Sequence, residues 1–189
     1  MDSKVLFKKA LEQATATIKC ISSRHFKNPT PCTEWDCATL VNHMLYELSW
    51  LPDLLAGKTV EEVGNKYDGD LLGSDHIKSW QKAADKAIKA VSKVKLNKEM
   101  HLSYGNVPAS QYISEVGGDL LIHSWDADQS LKCSLVIEQQ LAEAIYNNIF
   151  SRRDSFANSG LFGRPFEVGE QARLQTKLLA LVGRHEPEA

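Results

Sequence analysis

Gly117-Gly-Asp-Leu-Leu-Ile-His-Ser-Trp-Asp126 is the stretch whose reading decides the fold. Asp119 and His123 are four positions apart, so on an α-helix they share one face, with Cβ atoms about 6 Å apart. Val116 and Leu120 flank them, which turns that face inward. An isolated carboxylate buried there carries a large desolvation penalty, and a metal ion or a cationic partner removes most of it. A carboxylate and an imidazole one turn apart can close on a single divalent ion, each at about 2.0–2.2 Å. On spacing alone, a hydrogen-bonded Asp119–His123 or Asp119–His43 pair without metal is equally admissible.

A second helix supplies the partner. Leu40, His43, Met44 and Glu47 recur at i, i+3, i+4 and i+7, a largely apolar face that carries His43 toward the interior. Ligands on two facing helices, His43 against Asp119 and His123, leave coordination positions open, as catalytic rather than structural metal sites do. Glu47, one turn beyond His43, is a further ligand or a base on one reading and a solvated helix carboxylate on the other. Asp126, three residues after His123, orients a ligand histidine or binds substrate on one reading and closes a salt bridge at the helix end on the other. Trp35 and Trp125 are expected to pack the bundle and its entrance loop. Gly117 and Gly118 cost helix stability, and close helix approach explains them.

Outward from these segments the pattern is helical. A first helix is expected over residues 3–26, ended by Lys27-Asn-Pro-Thr-Pro-Cys, because each proline disfavours the helical region for its predecessor. Thr33 is the expected N-cap of the second helix, which ends at Gly57. Further helices are expected over about 74–94, 108–129, 135–157 and 170–181, with a loop at 58–73 and a short extended piece at 100–104. Strand patterns are scarce. The expectation is an all-α protein, a metal-binding helical bundle over residues 1–158 followed by a C-terminal extended segment and short helix, 159–189, packing on it.

Composition narrows the function classes. The chain of 189 residues has a formal net charge of -2, which argues against a nucleic-acid partner or an anionic membrane. The Lys-rich stretch from Lys78 to Lys98 is interleaved with Ala, Ile and Val and reads as a solvated helix face. Cys20, Cys32, Cys37 and Cys133 lack paired zinc-site spacing and read as thiols in a reducing cytosol. The N-terminus has no uninterrupted apolar core of a secretory signal, so a cytoplasmic protein is expected. The sequence does not fix an oligomeric state.

Pro29-Thr-Pro-Cys-Thr-Glu-Trp-Asp followed by Leu40-Val-Asn-His43 resembles the opening motif of the mycothiol-dependent maleylpyruvate isomerase metal-binding domain, a branch of the DinB-like superfamily. Leu121-Ile-His-Ser-Trp-Asp-Ala resembles its second motif. Phe162-Gly-Arg-Pro and Leu178-Leu-Ala-Leu-Val-Gly-Arg-His resemble the tail of one short subgroup. The resemblance implies a DinB-like four-helix bundle with a short C-terminal extension. It implies one divalent metal, zinc first and nickel or manganese as substitutes, on His43, Asp119 and His123. The family's isomerase carries Glu where this chain has Asp119. The implied activity is transfer or isomerisation dependent on that metal and a low-molecular-weight thiol, with a small-molecule substrate. Metal-dependent hydrolysis and a non-catalytic metal- or ligand-binding module are the alternatives.

Overall fold

The computed structural model describes residues 1–153 and 162–186. By packing, Asp2–Ser134 form one compact unit and the chain from Leu135 on forms another. The sequence reading drew its boundary later, after residue 158.

The first unit is the bundle. Helix α1 spans Ser3–Cys20, capped by the Asp2 carboxylate, which accepts from the Lys4 amide. A single 3-10 turn, Ser23–His25, follows, so the first helix stops earlier than expected. Helix α2 spans Cys37–Ala56. Its cap is Asp36, not Thr33: the Asp36 carboxylate accepts from the Thr39 amide, because the preceding residues are held as a turn. Gly57 closes α2 at φ 112°, the left-handed conformation that a side chain disfavours. Inside the expected loop, Thr59 and Glu62 form a capping box around a four-residue helix, α3, Val60–Val63. Helix α4 spans His76–Lys93. The expected extended piece is a hairpin, β1 Glu99–Leu102 against β2 Gly105–Pro108, antiparallel with Met100 opposite Val107. Helix α5, Ala109–Ser130, begins immediately after Pro108.

The four long helices close a ring in which α1 packs on α5 and α4, and α2 packs on α5 and α4. Phe7, Leu11 and Ile18 from α1, Leu40, Met44 and Leu48 from α2, Trp80 and Ala87 from α4, and Ile113 and Leu120 from α5 fill one core. Trp80 Nε1 donates to Thr15 Oγ1 at 2.9 Å, so the buried indole keeps a partner. Gly117 sets how near α5 comes to α1. A Cβ there would lie 2.6 Å from Leu6 Cδ2 and 3.3 Å from Phe7 Cα, which bears out the close-approach reading.

In the second unit, α6 (Gln139–Phe150) packs against α7 (Leu174–Leu181). Gln175 ties the segment before α6 to α7, accepting from the Ile137 amide at 2.8 Å and donating to the Leu135 carbonyl at 3.0 Å. The expected continuation of α6 to residue 157 falls partly outside the described residues. Among the described residues, no helix is long and apolar enough to cross a membrane.

Candidate metal centre

The side chains singled out on α2 and α5 meet. His123 Nε2 lies 3.3 Å from Asp119 Oδ1, and His43 Nε2 lies 3.6 Å from Asp119 Oδ2. The donor atoms of His43, Asp119 and His123 all lie within 4.8 Å of one another. Ligands at about 2.0–2.2 Å in a tetrahedron are separated by roughly 3.3–3.6 Å along each edge. His123 is buried, while His43 and Asp119 keep side-chain exposures of 27% and 22%, so the group opens on one side.

The helices dictate this convergence. On α5 the one-turn spacing aims Asp119 and His123 the same way. On α2, Leu40 and Met44 are fully buried, and that burial fixes the helix rotation and carries His43 to the seam with α5. Asp119 Oδ2 is buried and has no hydrogen-bond partner. A buried carboxylate oxygen without a donor is costly, and two imidazole nitrogens beside it make the set one that a divalent cation fits.

Asp126 is placed against His123 rather than at the exposed helix end. It is fully buried, and its Oδ2 accepts from His123 Nδ1 at 3.0 Å. With Nδ1 engaged there, Nε2 is the ring nitrogen that faces Asp119. Without an ion, burial pulls the His123 imidazolium down, but the Asp119 charge and the bonds to Asp119 and Asp126 override it and hold His123 well above the ordinary histidine range. Burial pushes Asp119 up, but His123 and His43 hold it far below the carboxylate range. Glu47 is partly buried rather than solvated. Burial first, and then the Asp119 charge, push it up to about 7, against smaller opposing effects of His43 and His123. It lies outside the close-set donor group.

Two residues reach the site from the loop before α2: Trp35, expected to pack the bundle and its entrance loop, and Cys32, which reads from the sequence only as a thiol. Cys32 Sγ donates to Asp126 Oδ2 at 3.3 Å and lies 3.9 Å from His123 Nδ1. The Trp35 ring covers both histidines, with centroids 4.7 Å from His43 and 5.8 Å from His123. The loop that carries them is held at several points. Thr30 Oγ1 donates toward the Cys32 and Trp35 carbonyls, the Trp35 amide donates to the Cys32 carbonyl at 2.8 Å, and Asn28 Nδ2 donates to the Ser130 carbonyl at the end of α5 at 2.7 Å. The Pro-Thr-Pro-Cys run was the available signal, but 91 residues separate Cys32 from His123.

A cleft of about 510 Å³ adjoins the group, lined by Trp35, Asn42, His43, Tyr46, Asp68 and Gly69 among others. It is broadly open to solvent.

The fold and this pocket define a DinB-like helical bundle with a histidine–aspartate–histidine set between two of its helices. The chain matches the family described as the mycothiol maleylpyruvate isomerase N-terminal domain over residues 7–128, and it belongs to that family. Among solved structures it is similar to the mycothiol-dependent maleylpyruvate isomerase, determined as a histidine-to-alanine mutant. The TM-score is 0.62 at 14% identity, over 80% of this chain and 68% of that one, a likeness of fold. A comparison with curated proteins finds no match.

Proposed function

We propose that this protein is a metal- and low-molecular-weight-thiol-dependent transferase or isomerase, with one divalent ion, zinc first, on His43, Asp119 and His123. The observation that carries the reading is the buried Asp119 Oδ2 without a hydrogen-bond donor, facing an imidazole nitrogen. When bound, the ion lowers the pKa of a coordinated thiol and holds the thiolate beside an electrophile. His43 and His123 offer Nε2, and Asp119 supplies the compensating charge. Asp126 holds the proton of His123 on Nδ1, and Cys32 holds Asp126 in turn. Trp35 shields the two imidazoles from water on one side. The cleft leaves room for the thiol and its reaction partner. Family membership supports the thiol dependence.

Tag-free protein reconstituted with zinc and screened against electrophiles with several thiols tests this. Thiol-dependent turnover that disappears in His43→Ala and His123→Ala, with helicity kept, is the expected result. Turnover indifferent to both substitutions overturns it, and ligand binding without turnover returns the module reading.

A further inference from the structure

The cleft that His43 lines has an electrostatic character of its own. Among the described residues, no lysine or arginine lines it, and its ionisable wall residue besides His43 is Asp68, with the Tyr46 phenol. Lys66, close by in sequence, is turned away to Asp53 at 2.5 Å. Lys27, near the Trp35 loop, is committed to Asp36 at 2.9 Å.

Asp68 does not sit on a slack loop. Asn42, the residue before His43, donates to the Gly69 carbonyl at 3.0 Å and accepts from the Leu71 amide at 2.7 Å. The segment that carries Asp68 is therefore latched to α2 beside the candidate ligand. Burial and then the Asp68 charge raise the Tyr46 phenol, which keeps its proton available for donation.

Charge balance sharpens the point. Asp68 is the carboxylate that the cleft itself presents. A bound thiolate adds one more negative charge. Along the described wall of the cleft, a dicarboxylate such as maleylpyruvate would meet the Asp68 charge and no guanidinium or ammonium. A cation would meet Asp68 beside the aromatic side chains of Tyr46 and Trp35, the kinds of group that recognise ammonium ligands.

We propose that this cleft takes a cationic, amine-bearing small molecule rather than a dicarboxylate, with Asp68 its specificity-determining residue. The inference rests on the metal-centre reading above and departs from the substrate class in the name of the related isomerase.

The test uses the cobalt-substituted full chain and three ligands that bind an open metal position through the same imidazole nitrogen. They are N1-(aminopropyl)imidazole, N1-propylimidazole and N1-(carboxyethyl)imidazole, read by the visible cobalt spectrum. The amine should bind about tenfold more tightly than the carboxylate, with the propyl compound between them. Asp68→Asn should collapse that order while leaving the propyl compound unchanged. Equal affinities in the wild type, or an order untouched by Asp68→Asn, overturn the proposal.

A second measurement needs neither metal nor thiol. In a Trp50→Phe background, Trp80 and Trp125 are buried, so accessible fluorescence comes from Trp35. At fixed ionic strength, caesium should quench it better than iodide, and Asp68→Asn should reduce the difference. Better quenching by iodide overturns the proposal even if cobalt fails to bind, whereas failure of cobalt to bind together with a caesium preference removes the metal-centre reading and leaves the cleft's cation preference standing.

Discussion

Asp53 and Asp119 lie in the same bundle, and both are held below the ordinary carboxylate range, yet they do opposite things. Asp53, near the end of α2, is pushed up by burial and brought down to about 2 by Lys66, Lys58 and Tyr67. Lys58 meets one of its oxygens at 3.0 Å, and Lys66 and the Tyr67 hydroxyl meet the other at 2.5 and 2.8 Å. Every strong direction is taken, and the result is a clamp on the segment after α2. Asp119 is lowered by two histidines instead, and one of its oxygens lies beyond hydrogen-bond distance of any donor, with His43 Nε2 at 3.6 Å. A satisfied carboxylate closes structure; one left open between two imidazoles is a site that can take a cation.

The strongest way to break this contrast is to neutralise each aspartate in turn. Asp119→Asn keeps the shape and removes the charge, and zinc affinity by isothermal titration should fall by more than about 100-fold, beyond what a supporting residue costs. The zinc-induced rise in thermal stability, about 2.7 kcal/mol at a hundredfold excess over Kd, should vanish with it. Asp53→Asn should leave both unchanged. Equal zinc affinity in wild type and Asp119→Asn would remove Asp119 from the site.

Asp126 sharpens the contrast from behind the ligands. Asp126→Asn should lower zinc affinity by about 10–100-fold, because His123 loses the partner that fixes its tautomer. Asp119→Glu tests whether the pocket is shaped around the shorter side chain. Restored or tighter binding would show that it accepts either carboxylate.

A smaller effect is expected at the clamp. Asp53→Asn should cost about 1 kcal/mol of unfolding free energy by chemical denaturation, since the group is partly solvated and screened. The sign with pH follows from its depressed pKa. The contribution of Asp53 is fully present above about pH 4, where the unfolded carboxylate is ionised, and is lost as pH falls through about 2. The Asn variant should therefore show a flatter acid limb between those values.

The smallest change belongs to Cys32. Cys32→Ser keeps a donor to Asp126, and zinc affinity should move by no more than about twofold. Cys32→Ala removes the donor and should cost more, though less than about tenfold. Loss as large as that of Asp119→Asn in either variant would mean that the sulfur itself ligates.

These effects divide along the line between local and distant information. The phase of α5 and of α2 was open to sequence reading, because side-chain direction on a helix follows from 3.6 residues per turn and the apolar face fixes which side is buried. That is why His43, Asp119 and His123 could be named, and why Gly117 could be assigned to a close approach. Helix starts were less open. Thr33 and Asp36 are both good caps, and a turn tied by Thr30 chose Asp36.

The sequence by itself determined an all-α bundle and the pairing of Asp119 with His123, since both depend on interactions within a few turns of helix. Only the tertiary structure decided that Asp126 stands behind His123 while Glu47 stays outside the donor group. It alone brought Cys32 and Trp35 over the histidines and latched Asp68 beside them through Asn42. The contact of Cys32 with Asp126 and that of Asn42 with the Gly69 carbonyl join segments far apart in the chain. Their positions depend on how loops are held across the bundle, and no periodicity in the intervening residues records that.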